Sequence, residues 1–72
     1  MKYKVYYGSG IDVNRMLYLN EFDTMDEADK YVEDYIYKHH KRVYYIQRTF
    51  VSDVCRWYDY GHYTKFYVVK GE

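Results

Sequence analysis

Seventy-two residues with eleven basic and eleven acidic side chains give a chain of zero formal net charge, rich in tyrosine (13) and with one cysteine. That length suits one small domain, which hides only about 60% of the surface its unfolded form exposes and is therefore marginally stable. The composition excludes an internal disulfide framework, argues against a general polyanion binder and lacks the low hydrophobicity and high net charge of disordered chains.

Leu, Ile, Val and Phe together number 16, so tyrosine and Trp57 must supply much of the buried surface. The opening Met1–Gly8 segment has no apolar signal-peptide core. No stretch approaches the roughly 20 apolar residues of a membrane span. The expected location is the cytoplasm.

In chain order, Tyr3–Tyr7 reads as a strand and Met16–Phe22 as a second, the two most simply forming a hairpin. Gly8-Ser9-Gly10 opens a loop between them that extends as far as Arg15. It lacks the GxGxxG and GK[ST] spacings, and no helix begins behind it to offer amides to a phosphate, so it reads as a connection.

A helix is expected from Thr24 to His39. Thr24-Met25-Asp26-Glu27 fits a capping box, and Ala28, Tyr31, Val32, Tyr35, Ile36 and His39 recur at the three-and-four spacing of one buried stripe. Phe22 is expected to fold back onto the first turn. The carboxylates of the helix are placed on its outer face. Residues 21–34 hold seven acids against Lys30, whereas residues 38–48 hold Lys38, Lys41, Arg42 and Arg48 with no acid. This polarity complements the helix dipole.

Beyond the helix, Val43–Val51 reads as a strand and Ser52-Asp53 as a turn or bulge. Val54–Tyr60 and Tyr63–Lys70 read as two more strands joined at Tyr60-Gly61-His62. The fold class is α+β: a single helix packed on a mainly antiparallel sheet of four or five strands, in the order β-β-α-β-β(-β).

Catalytic chemistry has few candidates. Cys55 with His62 as its base would be a nucleophilic pair, but a lone cysteine in an alternating strand is ordinarily a small core residue. His39, His40, His62, Cys55 and Asp59 show no CxxC or HxxxH spacing that would present two metal ligands together. The reading is non-enzymatic, with no metal and no cofactor.

The tyrosines carry the functional expectation. Neighbours in a strand face opposite ways, so Tyr6-Tyr7, Tyr44-Tyr45 and the run Trp57-Tyr58-Asp59-Tyr60 place rings on both faces. At least four or five rings fall on the face away from the helix or at sheet ends. Cross-strand pairing on a wet face is one explanation. A protein-binding patch or homo-oligomer contact is the favoured one, because Tyr, Trp and Arg dominate interfaces; its residues would be Arg48, Arg56, Trp57, Tyr58, Tyr60, His62 and Tyr63. A stacking platform for single-stranded nucleic acid, with Lys2, Lys4, Arg48, Arg56, Lys65 and Lys70 on phosphates, is the alternative. An oligomeric small-molecule (nucleotide) sponge is a third.

The opening strand Lys2-Tyr3-Lys4-Val5-Tyr6-Tyr7 and the entry Phe22-Asp23-Thr24-Met25-Asp26-Glu27-Ala28 into the only helix give a layout similar to that of small bacteriophage and mobile-element proteins of Gram-positive bacteria. Some of these are anti-CRISPR or other anti-defence proteins. The resemblance implies a stoichiometric inhibitor that binds a larger host protein or complex, and assigns no residue a role.

Overall fold

The computed structural model describes residues 1–9, 13–41, 43, 45–62 and 64–72. Five strands, β1 (Tyr3–Ser9), β2 (Leu17–Phe22), β3 (Gln47–Ser52), β4 (Cys55–Asp59) and β5 (Lys65–Gly71), form one antiparallel sheet. Their order across it is β2-β1-β5-β4-β3. A single helix, α1 (Met25–His39), packs on one face, and a short 3-10 turn, Val13–Arg15, lies between β1 and β2. The α+β class and strand sequence are those expected.

The helix begins where the capping box places it. The Thr24 hydroxyl accepts from the Glu27 amide at 3.2 Å and donates to the Glu27 carboxylate at 3.0 Å. The reciprocal bond therefore runs side chain to side chain. Ala28, Val32 and Ile36 are fully buried, whereas Tyr31 and Tyr35 are half-buried and His39 is exposed. The Phe22 ring lies 5.0 Å from that of Tyr31, docking the end of β2 onto the helix.

The segment after the helix departs from expectation. Extended pairing starts at Gln47, not at Val43, and Val43 packs against the core outside any strand. The Asp53-Val54 turn separates β3 from β4, with the Val54 amide donating to the Ser52 hydroxyl at 3.3 Å. Gly61, at φ +99°, occupies the left-handed region that permits the β4–β5 connection.

The pairing of β1 with β5 joins the two ends of the chain. Val5 lies opposite Val69 and Tyr7 opposite Tyr67, and the backbone amides of Lys2 and Glu72 each donate to the other's carbonyl at 2.8 Å. This register sets the inner, helix-bearing face: Val5 and Tyr7 of β1, Tyr67 and Val69 of β5, Arg56 and Tyr58 of β4, and Arg48 and Phe50 of β3.

The core is correspondingly aromatic. Tyr58 and Tyr67 are its largest fully buried side chains, around Val5, Val32, Ile36 and Val69. Buried phenols need partners for their hydroxyls, and each has one. The Tyr58 hydroxyl donates to Asp29 at 2.6 Å, that of Tyr67 lies 2.9 Å from His40 Nε2, and those of Tyr7 and Tyr60 lie 2.9 Å apart. Among the described residues, Tyr3, Tyr7, Tyr31, Tyr35, Tyr58, Tyr60 and Tyr67 belong to this core or pack against it. The tyrosine content is thus in large part the interior of the domain.

Candidate functional site

The six described residues among those expected to form a contact surface do not share one face of the sheet. Arg48, Arg56 and Tyr58 point to the helix side and converge on one carboxylate, Asp29. Arg48 donates through Nε at 2.8 Å and Nη2 at 3.1 Å to the two Asp29 oxygens, and through Nη2 at 2.6 Å to Glu33. Arg56 Nη1 donates to Asp29 at 3.0 Å, and the Arg56 guanidinium lies 4.4 Å over the Phe50 ring.

Asp29 and Glu33 are therefore not on the outer face of the helix, as the sequence reading has them. They occupy the flank of α1 that overhangs β4 and β3. Burial raises the cost of charging Asp29, but hydrogen bonds from Arg48, Tyr58 and Arg56 outweigh it and hold its pKa at about 2. The Tyr58 phenol is pushed up, first by burial and then by the hydrogen bond to Asp29. The Arg48 guanidinium is held still more firmly charged, above all by its Asp29 bond.

Tyr60 belongs to a second group at the far end of the helix. Its ring stacks on His40 with centroids 4.2 Å apart, and His39, His40, Lys41, Tyr60, Gly61 and His62 line an open hollow of about 310 Å³. His62 is exposed there, while Tyr63 lies outside the described residues. Burial, then the neighbouring His39 and His62, lower the pKa of His40. Cys55 stands at the other end of β4 from His62. Among the described residues, no three His, Cys, Asp or Glu side chains are placed to hold a metal ion. No described helix is long and apolar enough to cross a membrane.

Of the six that are described, Trp57 alone lies on the helix-free face of the sheet. Its register partners are Thr49 on β3 and Val68 on β5, and its ring meets that of Phe66 edge-on at 5.7 Å. Trp57, Phe66, Thr49, Val51, Gln47 and Asp59 line a shallow groove of about 400 Å³. Farther across this face, Tyr6 and Tyr18 form an edge-on pair at 5.9 Å. The helix-free face therefore carries at least four rings, as strand alternation requires.

Phe66, Thr49 and Val51 were not legible as groove residues from sequence. Once Tyr58 is set opposite Tyr67, parity puts Phe66 and Val68 on the side of Trp57; the sequence leaves that register open. Among the described residues, the lysines of β1 and β5 on this face share one carboxylate. Lys4 and Lys70 lie 3.5 and 3.6 Å from Glu72, and Tyr6 donates to the same carboxylate at 3.0 Å.

No protein-family description, no curated protein and no solved structure matches this chain.

Proposed function

We propose that the chain is a non-catalytic protein-interaction module whose contact surface is the helix-free face of the sheet, centred on Trp57 and Phe66. The groove between these rings and Thr49 and Val51 carries this reading. An aromatic pair flanked by β-branched side chains, rimmed by Gln47 and Asp59, has the apolar centre and polar margin of an interaction patch. A large side chain of a partner, seated against Trp57, would supply the anchor that such patches use. The resemblance to small phage proteins implies stoichiometric inhibition of a larger host protein as the form of this binding.

A nucleic-acid platform on the same face has less support. Arg48 and Arg56, the two arginines nearest the groove in sequence, are engaged by Asp29 on the opposite side of the sheet. Lys4 and Lys70 sit beside Glu72, which weakens their pull on phosphates next to the stacking rings.

Trp57 is the only tryptophan, so its emission reports on the groove. Proteins captured from host lysate by the wild-type chain, but not by a folded Trp57→Ser/Phe66→Ser variant, are the expected result, with blue-shifted Trp57 emission on adding the purified partner. Equal capture by both chains would overturn the site. Salt-sensitive binding of labelled single strands that is lost in the same variant would favour the nucleic-acid reading.

A further inference from the structure

We infer that the β3 edge of the sheet pairs with the β3 edge of a second copy of this chain, in antiparallel register centred on Thr49. The inference goes beyond the groove-binding reading and does not depend on it. A free strand edge is a template for another strand, and proteins ordinarily blunt it with charges, proline, bulges or a covering element. The two edges of this sheet differ in that respect. β2 carries a register shift in its middle, opposite Val5 and Tyr6, and presents the exposed Glu21. β3 runs in unbroken register from Gln47 to Phe50, with its irregularity only at the far end, between Phe50 and Ser52.

What the β3 edge exposes is uncharged: Gln47, Thr49 and Ser52 beside the apolar Phe50 and Val51. Phe50 is 65% and Val51 60% exposed. The one ionic side chain of the strand, Arg48, is drawn inward by Asp29 and Glu33, and the chain as a whole is neutral. Among the described residues of β3, no side chain other than Arg48 carries a charge that could repel a second copy.

The sequence of the strand fits itself. In a two-fold antiparallel pair centred on Thr49, each Thr49 opposes the other, Arg48 opposes Phe50, and Gln47 opposes Val51. Directly opposed residues must share a face, and these do: Arg48 and Phe50 are inner, while Gln47, Thr49 and Val51 are outer. Like charges are not opposed, and Phe50, already under Arg56 at 4.4 Å, gains a second guanidinium neighbour. A two-fold axis normal to the sheet gives ten continuous strands with both helices on one face. It also sets the two Trp57 grooves side by side on the other. One six-residue edge buries less than the roughly 800 Å² per partner of a standard interface, so the dimer is expected to be concentration-dependent.

Sedimentation velocity of the full chain, from low micromolar to submillimolar concentration, tests this. The wild type should shift from monomer to dimer. Thr49→Lys and Thr49→Glu, each placing like charges in direct opposition, should remain monomeric with unchanged far-UV CD, and an equimolar mixture of the two should recover a heterodimer. Amide exchange in β3 should slow as wild-type concentration rises. A wild-type monomer throughout that range overturns the proposal. So does a dimer that persists in both variants, or a dimer with no concentration-dependent protection of β3.

Discussion

Arg48 and Asp29 form a forked ion pair, Nε to one carboxylate oxygen at 2.8 Å and Nη2 to the other at 3.1 Å, that ties the helix to the edge strand β3. The same carboxylate receives Arg56 from β4 and the buried Tyr58 hydroxyl. One helix residue thereby fixes the side of the sheet that the apolar stripe of α1 reaches least. Removing it should be costly. Asp29→Asn is expected to lower the free energy of unfolding by about 2–3 kcal/mol, because two guanidinium groups lose their countercharge in a partly buried setting. Glu33→Gln, at a more exposed carboxylate, should cost less than about 1 kcal/mol. Urea denaturation of the two variants checks the difference.

Acid should reveal the same group. The Asp29 pKa is lowered to about 2 when folded, against about 3.9 in an unfolded chain. A depressed carboxylate contributes stability that is complete above its unfolded pKa and is lost as pH falls through its folded one. The wild type should therefore lose about 1–2 kcal/mol between about pH 4 and pH 2, allowing for the 21% of the Asp29 side chain still exposed. The Asn variant should show a flatter profile across that window by urea midpoint.

His40 sets a second pH dependence in a separate window. Burial, with His39 and His62 nearby, holds its folded pKa below the ordinary 6.5. Its ring stacks on Tyr60 and meets the Tyr67 hydroxyl at 2.9 Å, while His39, Lys41 and His62 share its hollow. The unfolded chain takes up this proton first, so stability is present above pH 6.5 and declines as pH falls through the folded pKa. Urea midpoints at about pH 7.5 and about pH 5.5 should differ in the wild type and converge in His40→Gln.

Simultaneous replacement of Arg56, Tyr58 and Tyr60 by alanine should abolish the fold. Tyr58 is fully buried and Tyr60 nearly so. Truncating one large buried aromatic costs about 3–5 kcal/mol, which approaches the whole stability of a domain this small. Far-UV CD of the triple variant should show loss of native secondary structure. Trp57→Ser/Phe66→Ser, on the face without a helix, should retain it.

Gly61 offers a narrower check on the β4–β5 connection. At φ +99° a side chain is strained even though the nearest atom, on the Tyr45 ring, is 3.9 Å from an added Cβ. Gly61→Ala should cost about 1 kcal/mol through backbone strain alone, measured as a lower thermal midpoint.

The parts of this protein that depend on near neighbours are written in its sequence. Thr24 and Glu27 are three residues apart, so the cap needs nothing beyond the first turn. Ala28, Val32 and Ile36 repeat at helical spacing, so the buried stripe can be counted directly. The alternation of Trp57 and Tyr58 likewise requires them to face opposite ways, whichever face is covered. What alternation leaves open is which face that is. The long-range register of Tyr7 and Tyr58 with Tyr67 decided it, turning Tyr58, Arg56 and Arg48 inward and leaving Trp57 and Phe66 outside. The fate of Asp29 was undecided for the same reason. On the helix it is one acid among five, and only the arrival of Arg48, 19 residues later, and of Arg56 and Tyr58 made it the centre of an ion-pair network. Local spacing fixes cap and stripe because their partners are at most four residues away. Strand order and the covered face depend on contacts closed across almost the whole chain, and only the folded sheet specifies those.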